Sequence, residues 1–199
     1  MNLVLATTNR CKVAELTQLL SLEGVLALDA FRDYAPPEET GATFEANAIL
    51  KARSLMQHVG LPALGEDSGL CVDALGGAPG IHSARYAPGT DADRVSALLS
   101  ALRDVPAGKR AASFQCALCL CLPDQPPTVV RAECRGEIAF VQRGAEGFGY
   151  DPVFVISPMG QTFAELPMAE KLRHSHRAKA AAALFPHIQA MRSLQERRR

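Results

Sequence analysis

The helix and strand pattern of this sequence is compatible with an α/β protein, on three observations. Strand and helix signals alternate from residue 2 to about residue 102, strand periodicity takes over between 112 and 141, and helical signals close the chain. With 199 residues, 48% of them hydrophobic, the chain can bury a sizeable core and is compatible with a single domain spanning 1–199, of one or two lobes. Its 21 basic and 21 acidic side chains cancel, so no overall field draws it to nucleic acid or to an anionic membrane.

The elements follow in order. Asn2 to Ala6 reads as a short strand, Thr7 to Lys12 as a polar loop, and Val13, Leu16, Leu19 and Leu20 as one side of a helix. Such a helix N-terminus offers backbone N–H groups and a positive dipole end to an anion, with Lys12 adding a charge, although Asn9 could serve only as its cap. Val25 to Leu28 suggests a second strand. Thr43 is placed to cap a helix running to about Val59, with Phe44, Ala48, Ala52, Leu55 and Val59 as its buried stripe and with Asn47 and Lys51 sharing a flank. Leu61 to Gly65 and Leu70 to Leu75 read as short strands on either side of an acidic turn, Glu66-Asp67-Ser68-Gly69. Thr90 caps a further helix through Leu102.

Ser113 to Leu122 is apolar on both faces and contains Cys116, Cys119 and Cys121, which we read as core residues of a strand and not as half a zinc site. Residues 123–127 form a hairpin loop, and Val129 to Cys134 and Glu137 to Val141 are the return strands. Ser175 opens a last, alanine-rich helix that Pro186 is expected to interrupt. The start of the chain turns polar at Thr7 and lacks the apolar core of a secretion signal, and no apolar run reaches membrane-spanning length, so a cytoplasmic protein is expected.

Three clusters carry chemistry. The Glu66-Asp67-Ser68-Gly69 segment, followed by the glycine loop 76–80, could hold a hard divalent cation and let backbone approach a ligand. Residues 144–154 interleave Phe148, Tyr150 and Asp151 with glycines, which suits either a ring held by stacking or a tight turn anchored in the core. Lys171, His174, His176 and Arg177 gather four donors at the start of the last helix.

In order and spacing these motifs resemble the inosine triphosphate pyrophosphatase family, the dITP/XTP pyrophosphatases. The resemblance rests on Thr7-x-Asn9-x-x-Lys12-Val13-x-Glu15 and on Glu38-Glu39-Thr40-Gly41-x-Thr43-Phe44-x-x-Asn47-Ala48-x-x-Lys51-Ala52. It continues through the run from Asp67 to Tyr86, then Gly147 to Pro152, then Ser175-His176-Arg177, and so covers nearly the whole chain.

The resemblance implies two lobes around a long, mixed, twisted sheet with flanking helices and a central nucleotide cleft, in a homodimer. It implies hydrolysis of ITP, dITP or XTP to the monophosphate and pyrophosphate, with Mg2+. Thr7, Thr8, Asn9, Arg10, Cys11 and Lys12 would hold phosphates and sugar, and Lys51 would neutralise the triphosphate. Glu38 and Asp67 would hold Mg2+, with Asp67 also the general base. Phe148, Gly149, Tyr150, Asp151, Lys171, His176 and Arg177 would form the base pocket, with Ser68 beside the substrate. Cys11, where the family commonly has Gly, Glu66, where it commonly has Asp, and His174, where it is usually apolar, depart from the pattern. A pyrophosphatase for other modified nucleotides, or a binding protein without turnover, would share the phosphate residues.

Overall fold

The computed structural model describes residues 3–22, 26, 28–31, 33–157 and 159–196. The fold is α/β. A six-stranded sheet in the order β1-β2-β3-β4-β5-β6 comprises β1 (Val4–Leu5), β2 (Ala63–Val72), β3 (Ala111–Cys121), β4 (Thr128–Ile138), β5 (Phe154–Ile156) and β6 (Gln161–Thr162). The sheet is mixed: β1 runs parallel to β2, with Val4 opposite Ala63, whereas β4, β5 and β6 pair antiparallel. Helices α1 (Arg10–Leu19), α2 (Phe44–Val59), α3 (Asp91–Ala101), α4 (Met168–His174) and α5 (His176–Glu196) complete it.

Local chemistry explains the helix starts. Thr43 accepts from the Ala46 N–H at the head of α2, which ends on Gly60 in the left-handed region. Thr90 and Asp93 form a reciprocal capping box on α3. At α1 the Asn9 side chain accepts from the Cys11 and Lys12 N–H groups at 3.0 and 3.1 Å.

The chain divides into two compact units, each discontinuous in sequence. The first is Met1–Asp67, Cys116–Ala132 and Arg177–Arg199; the second is Ser68–Gln115 and Glu133–His176. In the first, Leu3, Leu5, Leu16 and Leu20 pack with Leu118, Leu120, Leu184 and Ile188, and Cys116 lies in the same core. In the second, Leu70, Val72, Leu98 and Leu102 pack with Phe114, Phe154 and Phe163. Cys119 and Cys121 are buried as well, and all six cysteines are free thiols.

Four expectations are corrected. The acidic segment is not a turn, because β2 runs unbroken from Ala63 through Glu66 and Asp67 to Val72. Its poor strand formers are held by packing: a Cβ on Gly65 would fall on the Ala48 carbonyl oxygen of α2, so only glycine allows the close approach. Next, β4 is one strand ending at Ile138, and Ala139 to Val141 lie outside it. Gly136 sits within it because a Cβ there would meet the Val155 carbonyl oxygen of β5. Pro186 lies inside a continuous α5, where Leu184, Ile188 and Met191 are buried on either side of it; tertiary packing outweighs the lost backbone bond. Of the strand expected at Val25 to Leu28, Val25 and Ala27 lie outside the described residues, Leu26 makes an isolated parallel bridge to Val4, and Leu28 begins a 3-10 turn.

Candidate active site

Because β2 is a strand, consecutive side chains point to opposite faces, and its two adjacent carboxylates have different partners. Asp67 meets α2: its Oδ1 accepts from Lys51 Nζ at 2.8 Å and its Oδ2 from Asn47 Nδ2 at 3.1 Å. Lys51 also donates to Glu39 at 2.9 Å. One ammonium therefore serves two carboxylates. Asn47 in turn accepts from the Gly41 N–H at 2.8 Å, which ties the Glu38–Gly41 loop to the head of α2.

Burial raises the Asp67 carboxyl above its usual range; Lys51 opposes this, and Glu39 reinforces it. Lys51 is also raised, because its several carboxylates outweigh the cost of burying the ammonium. The two directions are consistent, since Asp67 has one close cation against burial and a second carboxylate, whereas Lys51 has Asp67, Glu66 and Glu39 acting on it.

Glu66 meets a different set. Its Oε2 lies 2.7 Å from Lys12 Nζ, and its Oε1 accepts from Arg177 at 3.0 Å and from the Cys116 thiol at 3.7 Å. Arg177 donates a further bond to Glu15. Burial works against the Arg177 cation, yet Glu66 and Glu15 reverse the effect and hold its pKa above the ordinary value. Burial, reinforced by Glu66, pushes the Cys116 thiol well up, so it stays a neutral donor.

The second unit holds the other cluster. Asp151 Oδ2 accepts from Lys171 Nζ at 2.6 Å and from the Phe148 N–H at 2.8 Å, and the Lys171 ammonium stands 4.7 Å from the centre of the Phe148 ring. A Cβ at Gly147, whose φ is +77°, would fall on the Asp151 carboxylate. Tyr150 is a core residue: its hydroxyl donates to the Ser83 carbonyl at 3.0 Å, and burial raises its pKa to about 12. The Gly149 N–H donates to Asp91 at the start of α3 at 2.8 Å. The His176 ring stacks on Phe114 at 4.8 Å with an interplanar angle of 11°.

Among the expected site residues, the structure brings Lys51 to Asp67, and Phe148, Asp151 and Lys171 to one another. Thr7, Thr8, Asn9, Arg10 and Cys11 lie at the head of α1, where Asn9 satisfies the N–H groups of residues 11 and 12; an anion at these two groups would have to displace that side chain. Ser68 follows Asp67 on β2, half-buried. Glu38 is exposed, and its neighbour Glu39 is the carboxylate that shares Lys51 with Asp67. The donors of Arg177 go to Glu15 and Glu66, so reading a base would require the guanidinium to leave two carboxylates.

Sequence reasoning passed over Glu39, Glu15 and the role of Glu66. Strand alternation across Glu66-Asp67 was the available signal, hidden by reading that segment as a turn. Asp91, at the start of α3, fastens the Gly149 loop.

Comparison with known proteins gives a consistent result. The model of the Ham1 family matches residues 3–187. A dITP/XTP pyrophosphatase of Symbiobacterium thermophilum is 46% identical over 95% of both chains, and one of Gloeobacter violaceus is 49% identical over 92% of both. A HAM1 protein structure from Coxiella burnetii superposes with a TM-score of 0.86 at 40% identity, covering 96% of this chain and 99% of that one.

Proposed function

The chain belongs to the Ham1 family, and we propose that it hydrolyses the deaminated purine nucleotides ITP, dITP and XTP to the monophosphate and pyrophosphate. The observation that carries this reading is Asp67, a buried carboxylate at mid-strand held by Lys51 and Asn47, on a chain 46% identical over 95% of its length to a protein named for that reaction.

Asp67 and Glu39 supply a hard-oxygen pair around one ammonium, which fits Mg2+. This ion is ordinarily held by one or two carboxylates together with substrate phosphates and water, so a site of this kind needs no cluster of three protein ligands, and none occurs among the described residues. Bound there, the metal would offset phosphate charge at the α-phosphorus. Asp67 accepts the proton of the attacking water, and Lys51 faces the triphosphate as a fixed positive charge. Lys12 is a second cation for phosphate oxygens. Phe148 offers a ring face to the base, with Lys171 and His176 as donors toward a 6-oxo edge; a donor left unpaired against adenine costs about 1–3 kcal/mol.

The same reading makes the enzyme a homodimer of the cytoplasm without nucleic-acid partners. Six free cysteines suit a reducing compartment, and no helix among the described residues is long and apolar enough to cross a membrane. Pyrophosphate release from ITP, XTP, GTP and ATP, with Mg2+ and with EDTA, tests the activity. Release from ATP at the ITP rate, or undiminished release in EDTA, overturns it. Light scattering at the 21.3 kDa monomer mass would remove the dimer.

A further inference from the structure

Glu66, Glu15, Arg177 and Lys12 form a chain of ion pairs in which two cations face two carboxylates. Three of the four are buried to within 2% side-chain exposure, whereas Lys12 is 17% exposed. Glu15 fixes one edge of the Arg177 guanidinium, and Arg177 and Cys116 fix one oxygen of Glu66. The other oxygen of Glu66 holds the Lys12 ammonium, and Lys12 is the member with solvent on one side.

We propose that Glu66 is a positioning residue that holds Lys12 as an exchangeable counter-ion, so that a polyphosphate must win the ammonium away from it. The inference rests on the reading of Lys12 as a phosphate ligand. When Lys12 turns to a phosphate oxygen, Glu15, Arg177 and Glu66 are left with one net negative charge. The Lys12–Glu66 contact that is lost offsets part of every phosphate contact that Lys12 gains, whether from triphosphate substrate or from pyrophosphate product. Glu66 thereby limits how tightly any polyphosphate is retained and favours release of the product. The acidic segment thus divides its labour: Asp67 serves the chemistry, and Glu66 sets the anion affinity from the opposite face of β2.

Calorimetric titration of the full-length protein with tripolyphosphate in EDTA tests this without turnover and without metal. Glu66→Gln should tighten binding about tenfold, the effect of one unit charge a few ångströms away at a dielectric between those of protein and water. Glu66→Asp keeps the charge for Arg177 but shortens the reach to Lys12; it should tighten binding less, and it carries the test if the Gln variant does not fold. Lys12→Gln should weaken binding, and adding Glu66→Gln to it should recover little. Unchanged or weaker binding in the Glu66 variants overturns the proposal, as does the same gain with and without Lys12, which would make Glu66 a background field. If Lys12→Gln binds like wild type, the phosphate role of Lys12 fails and the proposal falls with it.

Discussion

Two lysine–aspartate pairs, one in each unit, have nearly the same geometry and are built for different ends. Lys51 and Asp67 meet at 2.8 Å, and Lys171 and Asp151 at 2.6 Å. Asp67 accepts from two side chains, Lys51 and Asn47, and shares its lysine with Glu39. Asp151 instead accepts from the backbone of its own loop at Phe148, while the Lys171 ammonium stands 4.7 Å from the Phe148 ring centre and 5.8 Å from that of Phe163. The first pair can change partners without unmaking any backbone bond. The second shapes the loop that presents Phe148. A short charge pair therefore says little about function until its remaining partners are known.

The largest expected effect separates the pairs directly. Asp67→Asn should lower kcat by about 10³-fold or more, since an amide takes no proton, while leaving the melting temperature near wild type; near wild-type turnover would remove Asp67 as the base. Lys171→Met should add a large loss of stability to any effect on base recognition. It strands a buried carboxylate and should destabilise the protein by about 3–5 kcal/mol, read as a shift in denaturant midpoint, and an unchanged midpoint would show that Lys171 is not part of the loop's framework. Arg177→Ala belongs with this second class, because it leaves Glu15 and Glu66 buried together, and it should cost a similar amount.

Phe148→Ala should raise KM for ITP and ATP alike, by about 1–3 kcal/mol in kcat/KM, because stacking uses a face that every base has. A loss confined to ITP would mean that Phe148 reads the edge.

The smallest effect is a pH shift. As the proposed base, Asp67 would work deprotonated, and burial raises its pKa, so the acid limb of kcat/KM should lie above the ordinary aspartate value of 3.8. Lys51 lowers that pKa, so Lys51→Met should move the limb upward. A downward move contradicts the pairing. The stability sign follows from the same directions. A carboxyl raised in the folded state stabilises the fold below its unfolded value and loses that contribution as pH rises through the folded one. The raised Lys51 likewise stabilises below 10.5, and its contribution is lost as pH rises through its folded value.

Elements with local signals were legible in the sequence. The caps at Thr43 and Thr90 mark α2 and α3, because a side-chain oxygen in reach of its own helix needs no distant partner. The unity of β2 was not legible: Gly65, Ser68 and Gly69 are poor strand formers, and the close approach of Gly65 to Ala48 and Ala52 of α2 is a contact absent from any local window. In the site, Lys51, Asp67, Phe148, Asp151 and Lys171 could be singled out by motif. The pairing of Glu39 with Lys51, and the capture of Arg177 by Glu15 and Glu66, depend on side-chain direction and on elements far apart in sequence.

Arg177 reaches Glu66 across 111 residues and Glu15 across 162. During synthesis, both carboxylates emerge from the ribosome long before the guanidinium that neutralises them. The first unit also draws its last segment from residue 177 onward. A nascent chain that stalls before this point would carry the Asp67 and Lys51 residues yet lack the cation that makes burial of Glu15 and Glu66 tolerable. The burial of two acids from the first half of the chain therefore depends on a guanidinium that belongs to its last helix.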